Sequence, residues 1–271
     1  MSTILQTTLE DGILELRLNR PERLNALNEA LIGELTGIMR GLNRNREVRV
    51  VILTGEGKGF CAGADLKASD AGAGSVPGTE GMSQLGYVYK YQEYLAELML
   101  AIHECDKPVI AAVNGAAVGG GLAIALACDI RVAADNARFG AVFIKTGLSS
   151  CDVGTSYFLP RLVGAACAAE LMLTGRVFDA DEARQMQLVS RLVAPEQLAD
   201  TALELARAIA ANSEYGVWMT KKGLWANIDA PSLRHAMELE NRTQVLGYFT
   251  GCMEESMQAF QEGRAPRWRK L

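Results

Sequence analysis

Along the chain, apolar residues recur first at every second position and then at helical spacing. Each change of period marks an element. Ile4 to Leu9 and Ile13 to Leu18 read as strands flanking Glu10-Asp11-Gly12, a hairpin turn. Arg20-Pro21 ends the second strand. Asn28 is placed to cap a helix whose apolar positions Leu31, Ile32, Leu35 and Ile38 share one face. Val48 to Thr54 is the next strand. A helix from about Gln84 to Glu104 carries Tyr87, Tyr91, Tyr94 and Leu98 as a stripe, which serves a core or a pocket. Val109 to Val113 is a continuous apolar run behind Pro108, the pattern of a strand buried on both faces. Asn114-Gly115 ends it. Gly119-Gly120-Gly121 then opens Leu122 to Cys128, which is apolar all round and belongs to a helix inside the protein. Ile130 to Ala133, Phe139 to Ile144 and Leu188 to Val193 read as strands. Tyr157 to Val163, Ala165 to Leu173 and Ala180 to Gln185 read as helices. From Pro195 the strands stop. Pro195 to Ala211, Gly216 to Asn227, Ser232 to Tyr248 and Thr250 to Glu262 are all helical in pattern. The expectation is an α/β core over 1–195 and a helical region over 196–271.

Composition narrows the possible functions. A chain of 271 residues buries a sizeable core, and a formal charge of −5 argues against a broad nucleic-acid surface. No uninterrupted apolar stretch reaches membrane-spanning length, and the first residues lack the pattern of a signal peptide. The six cysteines include no C-x-x-C pair and read as reduced cytoplasmic thiols. With two histidines, His103 and His235, a histidine-rich metal site is not expected.

Candidate chemistry collects around the triple glycine. The start of a buried helix presents unpaired N–H groups and the positive end of its dipole. Three glycines put no side chain between those groups and a ligand, which suits a developing oxyanion. They equally suit close helix–strand packing. Gly55-Glu56-Gly57-Lys58-Gly59 follows a strand but lacks the P-loop spacing, and neither glycine cluster matches a dinucleotide fingerprint. Small residues in Phe60-Cys61-Ala62-Gly63-Ala64-Asp65-Leu66 let backbone approach a ligand, and Asp65 is placed to cap a short helix. The Gly-, Ala- and Ser-rich segment 68–83 reads as a loop near a site. Cys61 and Cys151 have no histidine nearby in sequence, which argues against a thiolate nucleophile.

Five stretches, RPERLNAL (20–27), GFCAGADL (59–66), NGAAVGGGLAIALACDIRVA (114–133), LTGR (173–176) and EGRAPRW (262–268), resemble the enoyl-CoA hydratase/isomerase (crotonase) superfamily in content and order. The resemblance implies a spiral of strand-strand-helix turns and a C-terminal helical region that makes trimers or dimers of trimers. It implies an acyl-CoA substrate, with coenzyme A as part of that substrate and no separate cofactor or metal. It puts the oxyanion hole at the backbone N–H groups of Ala64 and Gly120. The coenzyme contacts fall at Arg23, Leu24, Ala62, Asp65 and Leu66. Arg264 and Arg267 in the basic tail reach the coenzyme's phosphates or form a solvated chain end.

The sequence departs from the family at the chemistry. The two glutamates by which the hydratases add water fall at Ala123 and Phe143. Asp152, in SSCDVGTSY, resembles the aspartate of two other branches, the dienoyl-CoA isomerases and 4-chlorobenzoyl-CoA dehalogenase. One extra residue separates it from Gly147, and the dehalogenase's helix histidine falls near Ala96. Asp152 is therefore the candidate catalytic carboxylate, or else the cap of a helix starting at Val153. Asp129 reads as structural. Asp70 and Glu80 are weaker candidates, and Lys145 reads as a surface or phosphate contact. With one acid/base group, double-bond isomerisation is favoured over two-glutamate hydration. A hydrolytic aryl-CoA dehalogenase-like enzyme with Asp152 as nucleophile and a non-catalytic acyl-CoA binding protein are the alternatives.

Overall fold

The computed structural model describes residues 4–65 and 76–270. β1 (Leu5–Glu10) and β2 (Ile13–Leu18) pair antiparallel across Asp11-Gly12, whose φ angles of 50° and 78° make the two-residue turn that strand twist prefers. Asn28 caps α1 (Glu29–Leu42), its side chain accepting the Leu31 N–H. Three passes then repeat one plan: a strand in a first sheet, a short strand in a second, and a helix. They are β3 (Val50–Gly55), β4 (Gly59–Cys61) and α2 (Gln84–His103); β5 (Val109–Val113), β6 (Ala116–Val118) and α3 (Gly120–Ala127); and β7 (Ile130–Ala134), β8 (Arg138–Gly140) and α4 (Thr155–Val163). After α5 (Ala165–Thr174), β9 (Val177–Asp179), α6 (Ala180–Gln185) and β10 (Arg191–Val193), the chain is helical: α7 (Leu198–Ala210), α8 (Glu214–Ile228), α9 (Leu233–Tyr248) and α10 (Cys252–Glu262).

Among the described residues the first sheet has the order β1-β2-β3-β5-β7-β10 and is parallel from β2 onward, while the second has the order β4-β6-β8-β9. The run expected as one strand from Phe139 to Ile144 divides. The strand ends at Gly140, and Val142–Thr146 is a 3-10 turn closed by Gly147 at φ 84°. A six-residue apolar run fits either geometry, and the chain turns at Ala141.

Both faces of the central strands β3 and β5 are covered, which is why these two are buried at every position, whereas the edge strand β1 is largely exposed. Val51, Leu53, Val109, Ala111 and Val113 face the main core with α1, α2 and α3. Val50, Ile52, Ile110, Ala112 and Val132 face Leu198, Ala202 and Ala206 of α7. Asp129 joins core to tail. Its carboxylate accepts the Val109 N–H and the Trp225 indole N–H, each at 2.8 Å, and pairs with Lys221 Nζ at 2.8 Å. The pair is nearly buried, so losing either partner leaves an uncompensated charge, at about 3–5 kcal/mol. This is the structural role its position in the sequence suggested.

Candidate active site

The end of β4 runs beside the start of α3. Leu27 forms a parallel bridge with Ala64: its N–H donates to the Gly63 carbonyl at 2.7 Å, and its carbonyl accepts the Asp65 N–H at 2.9 Å. Because backbone groups alternate along an extended segment, Ala64 turns its own N–H to the side away from Leu27. The N-terminus of α3 lies close to this segment. A Cβ built on Gly63 would sit 3.2 Å from the Gly120 nitrogen, and one built on Gly120 would sit 4.0 Å from the Ala64 nitrogen. Gly120 is the first residue of α3, so its N–H has no acceptor within the helix. Two backbone donors thus stand side by side.

The three glycines do different work. Gly119 has φ 54° and ψ −122°, a conformation open to glycine, and donates its N–H to the Gly140 carbonyl at 2.9 Å. Gly121 allows close packing, since a Cβ there would lie 1.9 Å from the Cys61 carbonyl oxygen. A Cβ on Gly120 would meet Leu27 Cδ1 at 3.0 Å and lie 4.0 Å from the Ala64 nitrogen. Close packing is thus the role of Gly121, while Gly120 stands near the Ala64 nitrogen.

The expected coenzyme contacts lie along one edge. A 3-10 turn over Pro21–Arg23 leads into Leu24 and Asn25 at φ 50° and 57°. Asn25 is fully buried and holds this conformation. Its amide donates to the Glu56 and Gly59 carbonyls, and its side-chain oxygen accepts the Arg20 N–H. The Ala62 N–H donates to the Leu24 carbonyl at 3.0 Å, which brings Arg23, Leu24 and Ala62 together with Arg23 and Leu24 exposed. Asp65 differs. Its carboxylate is buried against Arg20 at 2.8 Å, so its side chain is engaged in holding the turn to β4. Leu66 and Asp70 lie outside the described residues, and Glu80 is exposed.

Asp152 is half-buried on the loop after Gly147. The Ser150 hydroxyl donates to the Ala141 carbonyl at 3.2 Å, tying this loop to the residue after Gly140, the acceptor of the Gly119 N–H. Asp152 Oδ1 accepts the Val153 N–H at 2.9 Å and a side-chain N–H of Gln92 on α2. The expectation that Asp152 caps a helix starting at Val153 is corrected here. The helix starts at Thr155 behind Gly154, without a side-chain cap; only the main-chain carbonyl of Asp152 takes the Thr155 N–H. Val153 itself stands at φ 35°, costly for a β-branched residue, and such strain gathers at functional sites. Ala123 is fully buried within α3. Phe143 reaches to 3.9 Å from where a Gly119 Cβ would be, so its ring fills the place where the resemblance puts a glutamate.

The family profile described as enoyl-CoA hydratase/isomerase matches residues 8–270. The chain belongs to this family. It is 42% identical over 267 residues to a probable enoyl-CoA hydratase of Mycobacterium tuberculosis, covering 98% of this chain and 92% of that protein. It is 34% identical to the 1,2-epoxyphenylacetyl-CoA isomerase of Escherichia coli, covering 99% of both. Among solved structures, a probable enoyl-CoA hydratase/isomerase from Mycobacterium abscessus superposes with a TM-score of 0.90 at 38% identity, covering 98% of this chain and 99% of that one.

Within this hydratase/isomerase fold the tyrosine stripe of α2 divides. The Tyr94 hydroxyl donates to the Glu29 carbonyl at 3.0 Å, anchoring α2 on α1. Tyr91 is half-buried, 6.1 Å from the Tyr87 ring. Burial, then the nearby Glu29 charge, pushes its phenol up to about 12, so it stays a donor at neutral pH. Burial likewise pushes the Cys61 thiol up to about 12, which removes it as a nucleophile. In the tail, Arg264 pairs with Glu255 at 2.6 Å and Glu262 at 2.5 Å, and Glu255 also accepts the Arg267 N–H. Arg264 is thus engaged within its own chain. The residues sequence reasoning passed over are Gln92, Arg20 and Asn25. Arg20 and Asn25 stand inside a quoted motif, but their partners lie up to 45 residues away. Gln92 is a single polar residue on an ordinary helix.

Proposed function

We propose that this protein is an isomerase of enoyl-CoA-type thioesters. Family membership supplies the substrate class, an acyl-CoA. The observation that carries the finer reading is Asp152. It is the carboxylate on the loop tied beside the paired Ala64 and Gly120 N–H groups, and the two hydratase positions hold Ala123 and Phe143. In this reading the thioester oxygen accepts both N–H groups. Asp152 removes a proton from the acyl carbon chain. The C–H electron pair moves through the conjugated system to that oxygen, where the two donors stabilise the enolate. The new carboxylic acid returns the proton at the other end of the system, and the double bond has moved with no change of mass. Hydration would need a second group to activate water. The 34% identical relative named as an isomerase rearranges an epoxyphenylacetyl-CoA, which supports isomerase chemistry on a CoA thioester; the double-bond shift itself rests on Asp152.

The test is turnover of a panel of enoyl-, dienoyl- and haloaryl-CoA thioesters, read by mass spectrometry. Unchanged mass with a shifted double bond is expected. Gain of water, release of halide, or saturable binding with no product would each overturn isomerisation, in favour of a hydratase, the dehalogenase-like reading or a binding protein respectively.

The region 196–271 is proposed to build a trimer or dimer of trimers. Among the described residues, α9 buries none of its own, and Leu233, Phe249 and Phe260 are 77%, 84% and 87% exposed. A surface this apolar needs a partner. Light scattering at micromolar concentration is expected to give three or six chain masses; a single chain mass would remove the proposal.

A further inference from the structure

We infer that Gln92 is a positioning residue that decides which oxygen of Asp152 meets the substrate; this rests on the reading of Asp152 as the base. The two residues lie 60 positions apart and meet across α2 and the loop that precedes α4. α2 is a rigid platform: Leu98, Met99 and Ile102 are buried in the main core, and Tyr94 is bonded to α1. The loop is held by Ser150 to Ala141, by the Asp152 carbonyl to the Thr155 N–H and by the buried Val153 side chain, none of which fixes the Asp152 carboxylate itself.

The bonds to the carboxylate are asymmetric. Oδ1 receives the Gln92 side-chain N–H from one element and the Val153 N–H from its own loop. Two donors occupy the two in-plane lone-pair sites of that oxygen. Oδ2 accepts no hydrogen bond among the described residues. The geometry therefore makes Oδ2 the proton-accepting atom and Oδ1 the anchor. The Val153 N–H belongs to the peptide that follows Asp152, so it holds Oδ1 without tying it to another element. Gln92 ties that oxygen to α2, a separate element. Without the Gln92 donor the carboxylate is free to rotate, and its reacting oxygen spends less time in line with the substrate. A misplacement of about 1 Å costs on the order of 100-fold in rate.

Gln92 is exposed, so its replacement leaves the core intact. Gln92→Met keeps the length of the side chain and removes the donor; Gln92→Glu replaces the donor with a like charge. Turnover is followed with the best thioester of the panel, beside Asp152→Asn and the double variant Gln92→Met/Asp152→Asn. The expected result is a fall in kcat of about 10- to 100-fold for Gln92→Met, a larger fall for Gln92→Glu, and KM within about twofold of wild type. In the Asp152→Asn background Gln92→Met should have no further effect, because the carboxylate it positions is gone. A purely structural role would add its loss in either background. If Asp152→Asn abolishes turnover while Gln92→Met leaves kcat unchanged, the inference falls and the reading of Asp152 stands. If Asp152→Asn retains turnover, both fall.

Discussion

Asp152→Asn is expected to lower kcat by at least ~100-fold, the contribution of a positioned general base, with acyl-CoA affinity nearly unchanged. Asn keeps the shape of the side chain and an oxygen that can accept the Val153 and Gln92 N–H groups, and it removes the charge and the basicity. Stability should change little. The side chain caps no helix, since α4 begins at Thr155 behind Gly154, and the loop's tie through Ser150 to Ala141 is untouched. Stopped assays with the panel thioester give kcat, and calorimetry with the same ligand gives affinity. A variant that folds, binds and still turns over would move the proton transfer elsewhere. The weaker carboxylate candidates Asp70 and Glu80 would be examined first, because the role needs a proton acceptor and the Tyr91 phenol stays protonated.

Elements that carry a long or punctuated signal were legible in the sequence. The hairpin turn at Asp11-Gly12, the Asn28 cap and the apolar runs of β5 and α3 have a period, a turn or a cap that acts over a few residues. The second sheet was not legible. Its strands β4, β6, β8 and β9 are three residues each, too short to show a period, and they form because the first sheet and the helices hold them in register. For the same reason Phe139 to Ile144 read as one strand when half of it is a 3-10 turn.

The site divides along the same line. Gly119 to Gly121 stood out because glycine before an all-apolar helix has a local physical meaning. The side chains that organise the site meet across long separations. Arg20 and Asp65 are 45 residues apart, and Gln92 and Asp152 are 60. No spacing rule reaches that far. Asp65 shows the consequence: its place in the motif suggested a helix cap or a coenzyme contact, and the structure gives its carboxylate to Arg20.

Ala64→Pro tests the other half of the proposed mechanism, because a backbone donor can be removed only by changing the backbone. Proline has no N–H, so one of the two proposed oxyanion donors disappears. The fold has no need of that donor. The bridge to Leu27 uses the Gly63 carbonyl and the Asp65 N–H, and both remain. The residue before the new proline is Gly63, at φ 84°, and glycine adapts most readily to a following proline ring. Loss of one such donor costs roughly 3–4 kcal/mol of transition-state stabilisation, a fall of about 10²- to 10³-fold in kcat. Coenzyme affinity should hold, since the exposed edge at Arg23 and Leu24 is unchanged. Gly121→Ala provides the contrast. Its Cβ would meet the Cys61 carbonyl oxygen at 1.9 Å, so β4 and α3 must part and soluble protein should be lost. The two outcomes separate the roles of neighbouring residues: a catalytic defect in a folded protein at Ala64, and a folding defect at Gly121. Equal melting temperatures for wild type and Ala64→Pro together with unchanged kcat would show that the thioester oxygen is not held at Ala64.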